Sequence, residues 1–410
     1  MKYLKKRNLK DFKESWTVCS QCSACYYRGP VVPFNWRELP PPEWSAPEHR
    51  CPSFEYFKFR AYTAVGIGNL AALVFDDDEF PITDDLVKIV YSCTSCGVCA
   101  EICQLFQPLV AIWALREELV RRGTGLPEPL EKAHNRMETR GNIFGATKSP
   151  RAVKGIPAAG ENVYFAGCTA RYREPEVAHA TLAVLEAAGM DIAHLAGDEM
   201  CCGFVAGHDG DTEAFERQAI RNIESLVRAG AKRVIVSCAH CYKTLKLDYP
   251  LIAGELPFTV THVSKVYEEL ISEKRIRFTQ EIEKVVTYHD PCFLGRHCKM
   301  YDEPRKVLES IPGIELVEME RNRRWSYCCG SGAKVTSMCF PEFSAAIAKE
   351  RLIEAKQAAG TLVTACASCL SILGRAARKE AIELEVRDLS TFVAEAMGVS
   401  MEYSSNRTSG

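Results

Sequence analysis

Two cysteines stand side by side in "DEMCCGFVAG" and again in "RWSYCCGSGAK", giving Cys201-Cys202-Gly203 and Cys328-Cys329-Gly330. A disulfide between neighbours strains the peptide that joins them, because bridged Cα atoms prefer a separation of about 5.5–6 Å. Something other than a bridge is expected to hold these thiols. Each pair has the same flanks, a lone cysteine upstream and a Cys-x-x-Cys downstream. One unit is Cys168, Cys201-Cys202-Gly203 and Cys238-Ala-His-Cys241; its twin is Cys292, Cys328-Cys329-Gly330 and Cys366-Ala-Ser-Cys369. Equivalent cysteines lie 124, 127 and 128 residues apart. So steady an offset makes an internal repeat, and predicts two similar half-domains facing each other.

The chain carries 20 cysteines in 410 residues. Its opening, "MKYLKKRNLKDFKESW", is basic with no apolar stretch behind it, so no secretory signal is expected. Without export the cysteines read as metal ligands rather than as a disulfide scaffold. The longest nearly apolar run, Ala61 to Phe75, is too short and too rich in Gly, Thr and Asn to cross a bilayer. The expectation is a cytoplasmic protein with no direct membrane span, docking at most to a membrane-bound partner. A hydrophobic fraction of 47% and a charged fraction of 25% suit an ordinary globular chain of two or three domains. The net charge of −2 gives no general reason to expect nucleic acid.

Eight cysteines precede the repeats. "CSQCSAC" and "CTSCGVCAEIC" each place three at i, i+3 and i+6, the ferredoxin spacing in which a short loop wraps three corners of a 4Fe–4S cubane. In two-cluster ferredoxins the fourth ligand belongs to the other motif. That assigns Cys19, Cys22, Cys25 and Cys103 to one cluster, and Cys93, Cys96, Cys99 and Cys51 to the second. Cys51-Pro52 keeps the Cys-Pro signature, but 25 residues separate Cys25 from Cys51, and Cys103 is followed by Gln104. The insert between them, Pro-rich and aromatic, reads as an ordered loop over the first cluster. Structural zinc normally takes its ligands in pairs, so these triplets argue against it.

The expected fold is α+β and multidomain: an α-helical ferredoxin-like two-cluster module over 1–130, a linker over 131–160, and two pseudo-symmetric α/β half-domains over 161–275 and 276–398, with a flexible tail at 399–410. The linker stretch is rich in Gly, Pro and basic residues. In each half the sequence reads as strand, helix, turn, helix, strand. "ENVYFAGC" and "RVIVSC" supply the strands of the first half, "KVVTYHDPC" and "TLVTACASC" those of the second.

A cysteine, a Cys-Cys-Gly and a Cys-x-x-Cys in tandem behind a ferredoxin module resemble the D-type subunit of heterodisulfide reductase and its relatives in anaerobic electron-transfer complexes, from about Cys19 to Cys369. The resemblance implies two noncubane 4Fe–4S clusters, each on five cysteinates: Cys168, Cys201, Cys202, Cys238 and Cys241 for one, Cys292, Cys328, Cys329, Cys366 and Cys369 for the other. It makes Cys201, Cys202, Cys328 and Cys329 the catalytic thiolates, bridging irons that a cubane would join through sulfide. The glycine behind each pair is expected to let backbone approach the cluster and to permit positive φ. The implied reaction is reduction of a disulfide bound between the two clusters, one electron from each, with two cubanes wiring electrons in. A second reading is a non-catalytic relay to a partner oxidoreductase, such as a flavoprotein or a low-potential reductase of aromatic rings or thioesters. A zinc-bearing interaction module is a third.

No Gly-rich dinucleotide fingerprint precedes a helix, and "AVGIGN" is too slight to count as one, so electrons must come from a partner: a flavoprotein, a ferredoxin or a membrane cytochrome. A small disulfide or thiol is the expected substrate. Basic residues follow the first cysteine of each repeat, Arg171 and Arg173 in one, Arg296, His297 and Lys299 in the other. They are candidates for gripping an anionic substrate, or for balancing cluster charge. His240 and His289 stand beside ligand cysteines, where a histidine either tunes a cluster or makes local hydrogen bonds. Cys298 and Cys339 match nothing in the other repeat and read as small buried hydrophobes.

Overall fold

In a computed structural model, the chain is described over residues 51–103, 107–147 and 156–400. Cys19, Cys22, Cys25, the Pro-rich insert through residue 50 and the tail from 401 lie outside the described residues. Helices open the described part: α1 (Pro52–Phe57), α2 (Ala64–Asp76), α3 (Asp84–Tyr91), α4 (Val98–Ile102) and α5 (Pro108–Arg121). Thr63 and Thr83 cap α2 and α3 by accepting from Gly66 N and Leu86 N, satisfying donors that a helix start leaves open. α2 lies along α5, and both send apolar side chains such as Val65, Val74, Ile112 and Leu115 into the main core.

α6 (Glu128–Arg140) runs into the stretch 131–160 that the sequence reads as a linker. Only Leu130, Ala133 and Met137 are buried along it. They sit three and four residues apart, on one face, while charged and polar side chains fill the rest. So narrow a stripe does not register as sustained periodicity.

The first repeat comprises β1 (Asn162–Phe165), α7 (Gly167–Tyr172), α8 (Pro175–Ala187), β2 (Ala193–His194), α9 (Thr212–Arg228), β3 (Arg233–Val236), α10 (Ala239–Lys243), β4 (Thr259–His262) and α11 (Val263–Ser272). The second comprises β5 (Lys284–His289), α12 (Asp302–Glu309), β6 (Ile314–Leu316), α13 (Pro341–Ala358), β7 (Thr361–Thr364), α14 (Ala367–Lys379), β8 (Glu385–Asp388) and α15 (Leu389–Ala396). Each builds a four-stranded parallel sheet, ordered β2-β1-β3-β4 and β6-β5-β7-β8. The expected unit is present, with an edge strand added on either side.

Parallel sheets need cover on both faces, and the central strands are buried accordingly: Val163, Phe165, Val234, Val236, Leu362 and Val363 are fully inside. From β1 the chain moves outward to β2, then returns to the other side of β1 for β3. The order therefore reverses between β1 and β3, and likewise between β5 and β7. Phe165 pairs with Val236, and His289 with Thr364, so the central strands end level. Beyond such carboxyl ends, at the reversal, an open α/β sheet leaves a crevice. The loops there carry Cys168 and Cys238 in one repeat, Cys292 and Cys366 in the other.

The repeats interlock. α11 of the first packs on α12 of the second, and α15 of the second packs on α8 of the first. Thr181 Oγ1 donates to Ser390 Oγ at 3.1 Å across the latter contact. The helical part docks on the first repeat through Arg116, which is fully buried. Its guanidinium donates to Val90 O at 2.9 Å, Cys93 O at 2.8 Å and His208 O at 2.8 Å. Arg296, from the second repeat, donates through Nε to Cys96 O at 2.6 Å. The loop bearing Cys93 and Cys96 is thus tied from both sides. No helix among the described residues is long and apolar enough to cross a membrane.

Candidate metal centres

In the first repeat Cys168 follows β1 in the opening turn of α7, Cys238 caps α10 and Cys241 lies within it. Cys201 and Cys202 come up from the loop before α9. All five are buried and none is in a disulfide. Cys168 Sγ stands 3.7 Å from Cys201 Sγ, and Cys241 Sγ 3.5 Å from Cys202 Sγ. Buried side chains fix the vicinal pair by its carbonyls: Gln218 and Asn222 each donate to Cys201 O at 2.8 Å, and Tyr249 OH to Cys202 O at 3.0 Å.

The second set repeats the arrangement with Cys292, Cys328, Cys329, Cys366 and Cys369. Gly330 N donates to Cys328 Sγ at 3.4 Å. A ring nitrogen of His289 and the sulfurs of Cys329 and Cys369 all lie within 4.8 Å of one another. The two sets touch. Cys238 Sγ lies 4.0 Å from Cys366 Sγ, and Thr169 Oγ1 lies 3.3 Å from Ser368 Oγ beside them.

The glycines behind the pairs do take positive φ, +78° at Gly203 and +90° at Gly330. What they approach differs from the expectation. A Cβ at Gly203 would meet Phe215 and Gln218, and one at Gly330 would stand 2.3 Å from Ser344 O in α13. The glycine that comes close to thiols is Gly167, whose Cβ would lie 2.6 Å from Cys241 Sγ. Gly203 and Gly330 let the vicinal turn seat on its helix instead.

Crowded, buried sulfurs cannot all shed their protons without a cation. Hydrogen bonds from Cys201 and Cys241 pull the Cys202 thiol down to about 6. Those from Cys241 and Cys366 pull Cys238 well below the usual thiol value, and those from Cys292 and Cys329 do so for Cys328. Cys241, Cys292 and Cys329 are driven up by those same contacts and by burial, Cys168 by its contact with Cys201, and Cys369 by those with Cys329 and Cys366. Five ionised thiols in such a space require metal charge in place of the missing protons, and the donor set is one that iron–sulfur centres use.

The basic residues singled out in sequence have partners within the chain. Arg171 is buried and donates to Glu199 O, with a carboxylate oxygen of Glu199 at 3.7 Å. Arg173 lies over the Phe144 ring at 4.7 Å. Arg296 adds Ser326 O at 2.6 Å and Arg324 O at 3.1 Å to its bond with Cys96 O. Lys299 pairs with Glu101, and His297 Nε2 lies 3.0 Å from Ser95 O. Proximity in sequence to a ligand cysteine suggests an anion grip, but Arg171 and Arg296 are aimed at backbone carbonyls and clamp loops.

His240 stacks on Phe204 at 4.0 Å, and burial pushes it down to about 4. Burial, then the Arg351 charge, keeps His289 far below the usual histidine range. Cys298 and Cys339 pack against the main core as small hydrophobes. Two further residues at the centres carry no mark in the sequence. Lys334, supplied by the second repeat, lines the first five-thiol cavity with His240 and Ser368. It and Ala333 both hold left-handed backbone, at φ 67° and 57°. Arg351, on α13, reaches His289. The paired Gly330 and Gly332 ahead of Lys334 signal an unusual turn, but nothing in sequence signals where it leads.

The Cysteine-rich domain family, CCG, matches residues 162–246 and 286–374. The chain is 34% identical over 370 residues to the D-type subunit of the dihydromethanophenazine:CoB–CoM heterodisulfide reductase of Methanosarcina acetivorans, covering 86% of this chain and 88% of that one. It is 31% identical over 262 residues to the EtfAB:quinone oxidoreductase of Syntrophomonas wolfei, covering 60% of this chain and 36% of that one. The crystal structure of a hypothetical protein from Helicobacter pylori superposes with a TM-score of 0.51 at 10% identity, over 82% of this chain and 68% of that one. That last likeness is one of fold alone.

Proposed function

The chain belongs to the family of heterodisulfide reductase D-type subunits, and from that premise we propose that it is an iron–sulfur oxidoreductase component acting on a disulfide or thiol pair between two noncubane 4Fe–4S clusters. The observation that carries the reading is the 4.0 Å between Cys238 Sγ and Cys366 Sγ. It makes the two five-thiol sets neighbours with a shared wall, as needed if one bond is to receive an electron from each side. Cys168, Cys201, Cys202, Cys238 and Cys241 would hold one cluster, and Cys292, Cys328, Cys329, Cys366 and Cys369 the other. Bound there, the clusters would supply the two electrons that, with two protons, turn one disulfide into two thiols, and two cubanes would carry electrons in.

Cys51, Cys93, Cys96 and Cys99 would hold one of those cubanes, and Cys19, Cys22, Cys25 and Cys103 the other. Ser53 Oγ donates to Ser92 O at 3.0 Å, which supports Cys51 as the ligand completing the triplet that begins at Cys93. Cys96 shares a small buried cluster with Tyr327, Cys328 and Phe343, which supports delivery from that triplet to the second repeat. Gln218, Asn222 and Tyr249 hold the first vicinal pair in place. Arg116 and Arg296 hold the delivering loop against the repeats. A partner that donates electrons, whether flavoprotein, ferredoxin or membrane cytochrome, belongs to this reading.

The relay reading has one observation in its favour: the relative from Syntrophomonas wolfei is named for transfer between an electron-transferring flavoprotein and quinone, with no disulfide. Anaerobic preparation decides between them. About sixteen irons per chain are expected, four in each of four clusters, and iron near eight rejects either the helical module or the repeats as cluster sites. Turnover of a small disulfide with a reduced low-potential dye supports the catalytic reading. Electron transfer to a partner with no disulfide turnover supports the relay.

A further inference from the structure

We infer that His289 donates a hydrogen bond from Nε2 to the sulfur shell of the second five-thiol site, and that the two repeats therefore hold electronically unequal centres. The inference rests on the reading that both sites take iron–sulfur clusters. His289 closes β5, three residues before Cys292, and is 1% exposed. Its Nδ1 lies 3.1 Å from Arg351 Nε. An arginine Nε always carries its hydrogen, so Nδ1 is the acceptor and the ring proton sits on Nε2. Arg351 is held in turn, donating to Arg321 O at 2.9 Å, Glu354 Oε2 at 2.8 Å and Ser326 Oγ at 3.2 Å. The tautomer is locked by a guanidinium that has nowhere else to go.

That leaves Nε2, buried and without a hydrogen-bond partner among the described residues. A buried N–H without an acceptor is rare. Here the acceptor is at hand once the site is loaded, because Cys329 and Cys369 stand within 4.8 Å of the ring, and cysteinate and sulfide accept readily. The same three residues have the spacing of a metal site, but a nitrogen that bears a proton has no lone pair in the ring plane to give iron. His289 is accordingly a positioning and tuning residue, not a ligand.

The first repeat has no donor at the equivalent position. Phe165 closes β1 three residues before Cys168 and pairs with Val236, as His289 pairs with Thr364, and a phenyl ring has no proton to give. Hydrogen bonds to cluster sulfur draw off negative charge and favour the reduced state. The bond makes the second centre more easily reduced than it would be without it, and that centre is the one beside the loop of Cys96, through Arg296.

The test is pulsed EPR of the anaerobic, reduced protein labelled with 15N only at histidine, with redox titration of each noncubane signal. In the wild type a weak histidine coupling is expected on the signal of the second centre, whatever His240 adds at the first. His289→Phe, which copies the first repeat, should abolish it and lower that signal's midpoint potential while the other stays. His289→Gln, which keeps an N–H, should recover part of the shift. A strong coupling from directly bound nitrogen overturns the inference, as does an unmoved potential in His289→Phe at full iron content. If His289→Phe holds too little iron to read, His289→Leu decides: a midpoint on that signal below the wild type supports the donor, an unchanged one refutes it. Wild-type protein with four irons or fewer would defeat the cluster reading itself, a failure visible before any histidine is touched.

Discussion

Gly203 and Gly330 occupy equivalent places, yet alanine should cost the two repeats unequal amounts. Both have left-handed backbone, where a side chain costs roughly 1–2 kcal/mol. At Gly203 the new methyl would meet side-chain atoms of Phe215 and Gln218 at 3.1–3.3 Å, which can shift by a few tenths of an ångström. At Gly330 it would stand 2.3 Å from the Ser344 carbonyl oxygen, and a helix backbone must move. Overpacking of that kind costs about 1–3 kcal/mol, and the 2.7 Å bond from Ser344 Oγ to Gly330 O, worth about 1 kcal/mol, goes with it. The sum is about 1–2 kcal/mol for Gly203→Ala against roughly 3–6 kcal/mol for Gly330→Ala. Iron release followed by absorbance during anaerobic urea titration reads the difference, with Gly330→Ala releasing metal at the lower urea concentration. Equal midpoints, or the reverse order, would refute the reasoning.

Three further outcomes are expected. Arg116→Met leaves the carbonyls of Val90, Cys93 and His208 without their donor, so it should cost about 2–4 kcal/mol and open the 93–103 loop to protease; an unchanged digestion pattern would contradict this. Burial lowers the His134 imidazole, but hydrogen bonds to Asp209 and Asp211 outweigh it and raise the group to about 10. A raised folded value stabilises fully below the unfolded value near 6.5 and fades as pH climbs to about 10, so the protease resistance that His134→Gln removes from α6 should be large at pH 6 and negligible above pH 10. A gap that widened with pH would reverse the sign. Lys334→Met withdraws a cation from the first centre only, and should lower the potential of the signal that His289→Phe leaves alone; a shift in the other signal would contradict the assignment.

The cysteines are legible because ten of them recur at nearly fixed offsets, and the central strands because they are short runs of apolar, β-branched residues between turns. The edge strands are not. Ala193–His194 is two residues long, and Glu385–Asp388 exposes or half-exposes three of its four positions, so neither has a pattern to detect. α6 hides behind its charged face. The surroundings of Arg296 and Lys334 are hidden for a different reason. Arg296 follows Cys292 closely in sequence, which points toward substrate, but its contacts are carbonyls as far off as Cys96. Lys334 belongs by sequence to one repeat and by contact to the other. Both depend on how repeats and module dock, and no local periodicity reports that.

The interlocked helices bear on how the protein is made. α8 of the first repeat waits for α15, whose last residue is Ala396, and the first five-thiol cavity takes Lys334 and Ser368 for its walls. Chains fold from the N-terminus as they leave the ribosome, but here the first repeat stays open until α15 has emerged. Metal delivered early would meet accessible thiols in an unfinished pocket. A truncation that removes α15 should therefore empty the first five-thiol centre, whose own cysteines it leaves in place.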